Sequence, residues 1–235
     1  MNRYYHELRA YLSALLIVMI ASTASAKEYG HYDVNLLLQK ETTSAGTRYS
    51  FDVGYLDRML NDLSSHANNY PPKFDTPQEQ QRAIHDVSAL SGMLNLLLQE
   101  PTPNPEFLLR AAYINSMGHN LDIPEAAEKA NRLFQQFLAQ ATSDPKGNFM
   151  YGTFLGNIGK SAEALPYLKK SLSLGVIDAN WSLGLTYLML GDKDNAIRHL
   201  EAYKRYRPEN EGTDRLIDAI RNGKVQVKRS DGSAQ

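Results

Sequence analysis

The stretch DANWSLGLTYLMLGDKDNAIRHL, Asp178 to Leu200, repeats a pattern laid down 32 residues earlier by KGNFMYGTFLGNIGKSAEALPYL, Lys146 to Leu168. Gly152, Gly159, Ala164 and Leu168 return as Gly184, Gly191, Ala196 and Leu200. Each copy consists of two apolar-periodic segments broken at Gly159-Lys160 or Gly191-Asp192. A period of this length is the signature of stacked helical hairpins, each too small to bury its own apolar face. The recurring residues suit close approach within a hairpin. Gly152 and Gly184 on the first helix, with Ala164 and Ala196 on the second, leave room where the helices cross. Leu155, Leu168, Tyr187 and Leu200 fill the space around the crossing. Gly159 and Gly191 let the chain turn back.

On either side, the spacing predicts three hairpins: Glu106–Met117 with Pro124–Gln140, Pro145–Ile158 with Ser161–Leu174, and Asp178–Leu190 with Lys193–Tyr206. Asp144 before Pro145 is a helix start, Pro208 closes the third hairpin, and the joint Gly118–Ile123 is expanded. A last amphipathic segment carrying Leu216, Ile217 and Ile220 caps the stack, because a terminal hairpin otherwise shows an apolar face to water. Upstream, Phe51–Asn68 carries a helical stripe (Tyr55, Leu56, Met59, Leu60, Leu63) that stops before Pro71-Pro72. Thr76-Pro77-Gln78-Glu79 then reads as an N-cap, a first-turn proline and a reciprocal glutamate, opening a helix to about Gln99. Lys27–Arg48 is poor in helix signal and is expected to be an irregular arm with a short hairpin, with Thr42–Thr47 as a loop.

The run Asp178–Tyr187, Leu190-Gly191-Asp192, Asn195–Leu200 and Pro208 resembles the tetratricopeptide repeat and its relative, the Sel1-like repeat. The usual repeat has 34 residues, Trp181 stands one place later than the typical aromatic, and Val176 stands where a terminal proline is common. The resemblance spans Pro105 to Gly223 and implies an all-α, right-handed solenoid of antiparallel helical hairpins that binds proteins. It also implies that the first helix of each hairpin lines a concave groove. Alignment places Leu109, Tyr113, Phe149, Thr153, Trp181, Leu185 and Leu188 there. Related scaffolds that grip acidic peptide termini use lysines and asparagines at such places. The apolar and aromatic set here instead implies an amphipathic helix or apolar peptide. The competing reading is that the chain's own N-terminal helices fold over this surface, since Leu90, Leu94 and Leu97 need an apolar home.

Residues 1–26 read as an export signal: Arg3 and Arg9 outweigh Glu7, Tyr11–Ala21 is apolar, and Ala24-Ser25-Ala26 offers a cleavage site. The organisation expected is therefore a signal peptide at 1–26, an arm with two helices at 27–103, three hairpins and a capping helix at 104–223, and a flexible tail at 224–235. Among the 235 residues there is no cysteine, which excludes disulfides, thiolate metal sites, cysteine nucleophiles and a lipid-anchored N-terminal cysteine. The net charge of −1 shows no electrostatic footprint for nucleic acid.

No catalytic constellation stands out. His31, His66, His85, His119 and His199 never pair at helical spacing and read as surface or half-buried side chains, so no metal and no cofactor is expected. Ser91-Gly92 falls within a helix rather than on a strand–turn–helix elbow. Asp57/Asp62 and Glu125/Glu128 read as solvated carboxylates on polar faces. The sequence thus predicts a non-catalytic interaction scaffold, exported to the periplasm, with protein partners of the envelope and compatible with end-to-end contact between copies. Two alternatives remain on the residues. One is a secreted effector or host-contact factor. The other is an enzyme accessory with its active part in residues 27–100, where Tyr29, His31, Tyr32, Asp33 and Tyr49 cluster outside the repeats.

Overall fold

In the computed structural model, the described residues are 28–43 and 46–225, so the expected export signal and the tail beyond 225 lie outside them. An extended arm from Glu28 leads into a 3-10 turn, Val34–Leu37, and an antiparallel hairpin of β1 (Leu38–Thr43) and β2 (Gly46–Phe51). Leu38 pairs with Phe51 and Thr43 with Gly46. Thr42 and Thr47, expected in a loop, pair with each other across this ladder. Nine helices follow among the described residues. They are α1 (Val53–Ala67), α2 (Pro77–Leu97), α3 (Pro105–Asn120), α4 (Ala126–Gln140), α5 (Pro145–Asn157), α6 (Ser161–Ser173), α7 (Ala179–Met189), α8 (Lys193–Tyr206) and α9 (Glu211–Arg221).

Short polar side chains start five of these helices, α1, α2, α3, α5 and α8, by accepting from exposed amides. Asp52 caps α1 through the Tyr55 amide at 2.8 Å, so Phe51 ends a strand instead of opening the helix. Thr76 accepts from the Glu79 amide at 3.2 Å, while the Glu79 carboxylate turns to the Asp75 amide at 3.4 Å, one residue before the cap. Asp144 and Asp192 cap α5 and α8 through the amides of Gly147 and Asn195.

The all-α architecture is a stack of antiparallel hairpins, α3/α4, α5/α6 and α7/α8, closed by α9. A Cβ built on Gly152 would lie 2.7 Å from Leu168 Cγ, and one on Gly184 would lie 2.7 Å from Leu200 Cγ. Those helices can approach only because the glycines have no side chain. Gly159 and Gly191, at φ +80° and +82°, occupy the left-handed region that reverses the chain after α5 and α7. One apolar cluster runs through the molecule from Tyr29 to Ile220. Between α4 and α5 the packing relies on rings: Phe134 stacks on Tyr151 at 5.3 Å, and Gly147 makes room for Phe137.

The N-terminal pair departs from this pattern. Counting seven residues from the helix start, where α5 has Gly152, α1 has Leu60. Helices α1 and α2 do not close on each other; each packs on α3, and the arm lies between them. Among the described residues no helix is long and apolar enough to cross a membrane.

Candidate functional site

The seven groove positions distribute over the first helices of the hairpins: Leu109 and Tyr113 on α3, Phe149 and Thr153 on α5, and Trp181, Leu185 and Leu188 on α7. Six are half-buried, and Leu188 is buried in the core. Adjacent hairpins meet along this row, where the Thr153 and Ser182 hydroxyls lie 3.1 Å apart. Trp181 packs against Tyr203 of α8, with ring centroids 5.4 Å apart. The Tyr113 hydroxyl donates to Asn68 at 3.2 Å, and burial raises its pKa. Helices α1 and α2 pack on α3 and extend the stack at its N-terminal end; their main packing does not extend to α5 or α7. The row is therefore half-covered by its own neighbours, and α1 and α2 find their apolar home on α3 and the arm.

The arm lies outside the repeats, and its side chains form a tight polar clasp. Tyr29 is only 1% exposed, with its ring edge-on to His66 and Phe74. Its hydroxyl donates to Asp86 of α2 at 2.9 Å. The Gly30 amide and the Tyr32 hydroxyl donate to Asp62 of α1 at 2.9 and 2.8 Å. Arg82 donates through Nη2 to the Tyr29 carbonyl at 3.1 Å. Burial, then the charge of Asp86, pushes the Tyr29 hydroxyl far above the usual phenol range, so it stays a donor.

Two expectations change here. Asp62 is buried, not solvated, because the arm brings donors to it. His66 is 4% exposed, stacked on Phe74 at 5.0 Å, with Nδ1 2.9 Å from the Lys73 carbonyl oxygen. Helix periodicity alone gives no signal for either: Asp62 is covered by a segment some thirty residues away, and His66 by Phe74 and Lys73 beyond the end of its helix. Asp57 is instead gripped at 2.8 and 2.9 Å by Arg110, whose hydrogen bonds hold its carboxyl below the usual range.

Ser91 also has a partner: Lys129 Nζ donates to its hydroxyl at 2.8 Å, and that hydroxyl donates to Asn115 at 2.9 Å. Burial, with Arg132 nearby, lowers the Lys129 pKa. The pair resembles a serine–lysine dyad in distance only. Ser91 lies inside α2, whose amides are engaged in helical bonds and cannot stabilise an oxyanion. Among the described residues, no three potential ligands gather to hold a metal ion.

Two of the surface cavities among the described residues bear on the site. The larger, about 400 Å³, lies where the arm meets α2 and is lined by His31, Tyr32, Gln78, Gln81, Arg82, His85 and Asp86. The smaller, about 230 Å³, lies among α4, α5 and α6, with Asn148, Tyr167 and Lys170 in its wall. Neither contains a residue of the groove row.

Comparison with known proteins agrees with this architecture. No curated protein matches the chain. A crystal structure of MamA superposes with a TM-score of 0.52 at 22% identity, covering 65% of this chain and 86% of that one. A second crystal structure of MamA protein gives 0.53 at 20% identity, covering 73% and 84%. At these identities the likeness is one of fold. Residues 177–210, which hold α7 and α8, match the tetratricopeptide repeat, so the chain carries at least one such repeat within a solenoid of helical hairpins.

Proposed function

We propose that this protein is a non-catalytic adaptor of the bacterial cell envelope, exported by its first 26 residues, which holds other proteins against the first helices of its hairpins. The observation that carries the reading is the row Leu109, Tyr113, Phe149, Trp181 and Leu185. It is half-buried, mostly apolar, and repeats from hairpin to hairpin; its members on α5 and α7 lie away from the main packing of α1 and α2, while Leu109 and Tyr113 share α3 with it. Such a row suits an amphipathic helix or apolar peptide, whose side chains would complete the burial that the solenoid begins. Trp181, supported by the tilted ring of Tyr203, is the anchor expected to dominate the binding energy.

The test is capture from envelope extracts with the parent protein and with Trp181→Ala, alongside a melting curve for each. Loss of about 1–3 kcal/mol of partner affinity, with the fold retained, supports the groove. Equal recovery by both proteins, or nothing specific above a bead control, rejects it. Detection of the protein in the medium instead of the periplasm would turn the reading toward a secreted factor using the same surface.

A further inference from the structure

The 400 Å³ cavity between the arm and α2 lies outside the groove and has its own chemistry. Its volume falls within the range of roughly 300–1,000 Å³ of pockets that take small molecules. Among the described residues Arg82 has no carboxylate within ion-pair distance, and its one hydrogen bond runs through Nη2 to the Tyr29 carbonyl. Its Nε is enclosed and has no hydrogen-bond partner, a costly state for a guanidinium. Asp86, also in the wall, accepts from the Tyr29 hydroxyl at 2.9 Å and lies 3.5 Å from His85 Nδ1; a hydrogen bond from a tyrosine does not cancel its charge, so a bound anion is held on the Arg82 side. Gln78 and Gln81, in the first turns of α2, add amide donors near the positive end of a 21-residue helix. His31 and Tyr32 close the wall from the arm.

We propose that this cavity binds a small ligand carrying an oxyanion, a carboxylate or a phosphate, and that the bound ligand ties the arm to α2. Arg82 supplies the fixed charge, and Gln78, Gln81 and the two histidines supply further donors around the oxygens. The walls belong to both the arm and α2, so occupancy favours the clasped arrangement over one with the arm released. This site is independent of the groove: it neither needs a protein partner nor touches Trp181.

The experiment uses the intact protein with isotope-labelled histidine, titrated separately with acetate, N-acetylglycine and inorganic phosphate. Chloride at matched ionic strength is the control. Expected are saturable shifts of the His31 and His85 ring signals with at least one probe, and slower hydrogen exchange of the Gly30 amide when the ligand is bound. A preference for N-acetylglycine identifies a carboxylate, such as a peptide end, as the group recognised; a preference for phosphate identifies a phosphorylated compound. Arg82→Gln weakens binding at least tenfold. Because that change also removes a contact to the arm, Gln81→Glu provides the second variant: it places a like charge on the exposed rim and leaves the clasp untouched. The proposal falls if no probe saturates beyond the chloride control, or if Gln81→Glu binds like the parent. Binding without any slowing at Gly30 would overturn the tie between ligand and arm.

Discussion

Replacing Gly184 by alanine sets two effects of opposite sign against each other. In the interior of a helix, alanine is favoured over glycine by about 0.8–1 kcal/mol. At this position the new Cβ would sit 2.7 Å from Leu200 Cγ, 2.8 Å from its Cδ2 and 3.3 Å from the Ala196 carbonyl oxygen. Carbon atoms prefer separations of about 3.5–4.0 Å, so α7 and α8 must part by nearly 1 Å or Leu200 must leave its rotamer. Leu200 is fully buried, so it has no open space to move into. Overpacking of this kind costs about 1–3 kcal/mol, and a shortfall this large belongs at the upper end. The net loss is therefore about 1–2 kcal/mol, or a fall of roughly 2–8 °C in melting temperature for a chain of this size. Gly92→Ala is the matched control. It lies well inside α2 with nothing within 4 Å of the added Cβ, so only the helix preference remains. It should raise stability by about 0.5–1 kcal/mol. Calorimetric melting of parent, Gly184→Ala and Gly92→Ala reads both. If the two variants shift the melting temperature in the same direction, close approach is not what holds α7 to α8, and the reasoning fails.

Two further outcomes follow from the buried polar groups. Asp62→Ala removes the acceptor of the Gly30 amide and the Tyr32 hydroxyl; hydrogen bonds to a charged group contribute about 1.5–3 kcal/mol each. Exchange at Gly30 should accelerate by two orders of magnitude or more while the α7/α8 amides stay protected, and uniform acceleration would show that the arm is not a separate clasp. His199 is stacked on Tyr187 and bonded to Asn180 at 2.9 Å; burial first, then Arg198 and Lys169, lowers its pKa from 6.5. Because the folded value lies below the unfolded one, this contribution is fully present above pH 6.5 and is lost as pH falls from there through the lower folded value. His199→Gln should flatten the stability loss between about pH 7 and 5, and an unchanged slope would assign the acid sensitivity elsewhere.

The solenoid was legible because its signal is local and doubled. A glycine facing a leucine sixteen residues on, then the same pair again, constrains the crossing without any knowledge of the rest of the chain. Boundaries followed where a cap was written in the residues, as at Asp144 and Asp192, and slipped where capping competed with strand pairing, as at Phe51 and Asp52. The arm was not legible. Tyr29, Gly30 and Tyr32 gain their meaning from Asp62 and Asp86, and an acid on a helix face looks the same in sequence whether water or a tyrosine covers it. Arg82 was hidden for the same reason, since its enclosure depends on the arm lying across α2. The groove row stands between these cases. The repeat names its positions, as Trp181 and Phe149 show, but not how far neighbouring helices cover them.

The clasp also sets an order of events in time. Helical hairpins form from neighbours: Gly152 meets Leu168 across a loop of 16 residues, whereas Tyr29 meets Asp86 across 57. Closing the longer loop costs about 1 kcal/mol more in chain entropy, before the buried ring and its hydrogen bond can compensate. The arm also needs both α1 and α2 in place, because its partners are divided between them. Refolding should accordingly show rapid recovery of helix followed by a slower step in which Tyr29 becomes protected. The residues of the fold nearest the amino terminus, first to leave the ribosome, are then the last to reach their native positions.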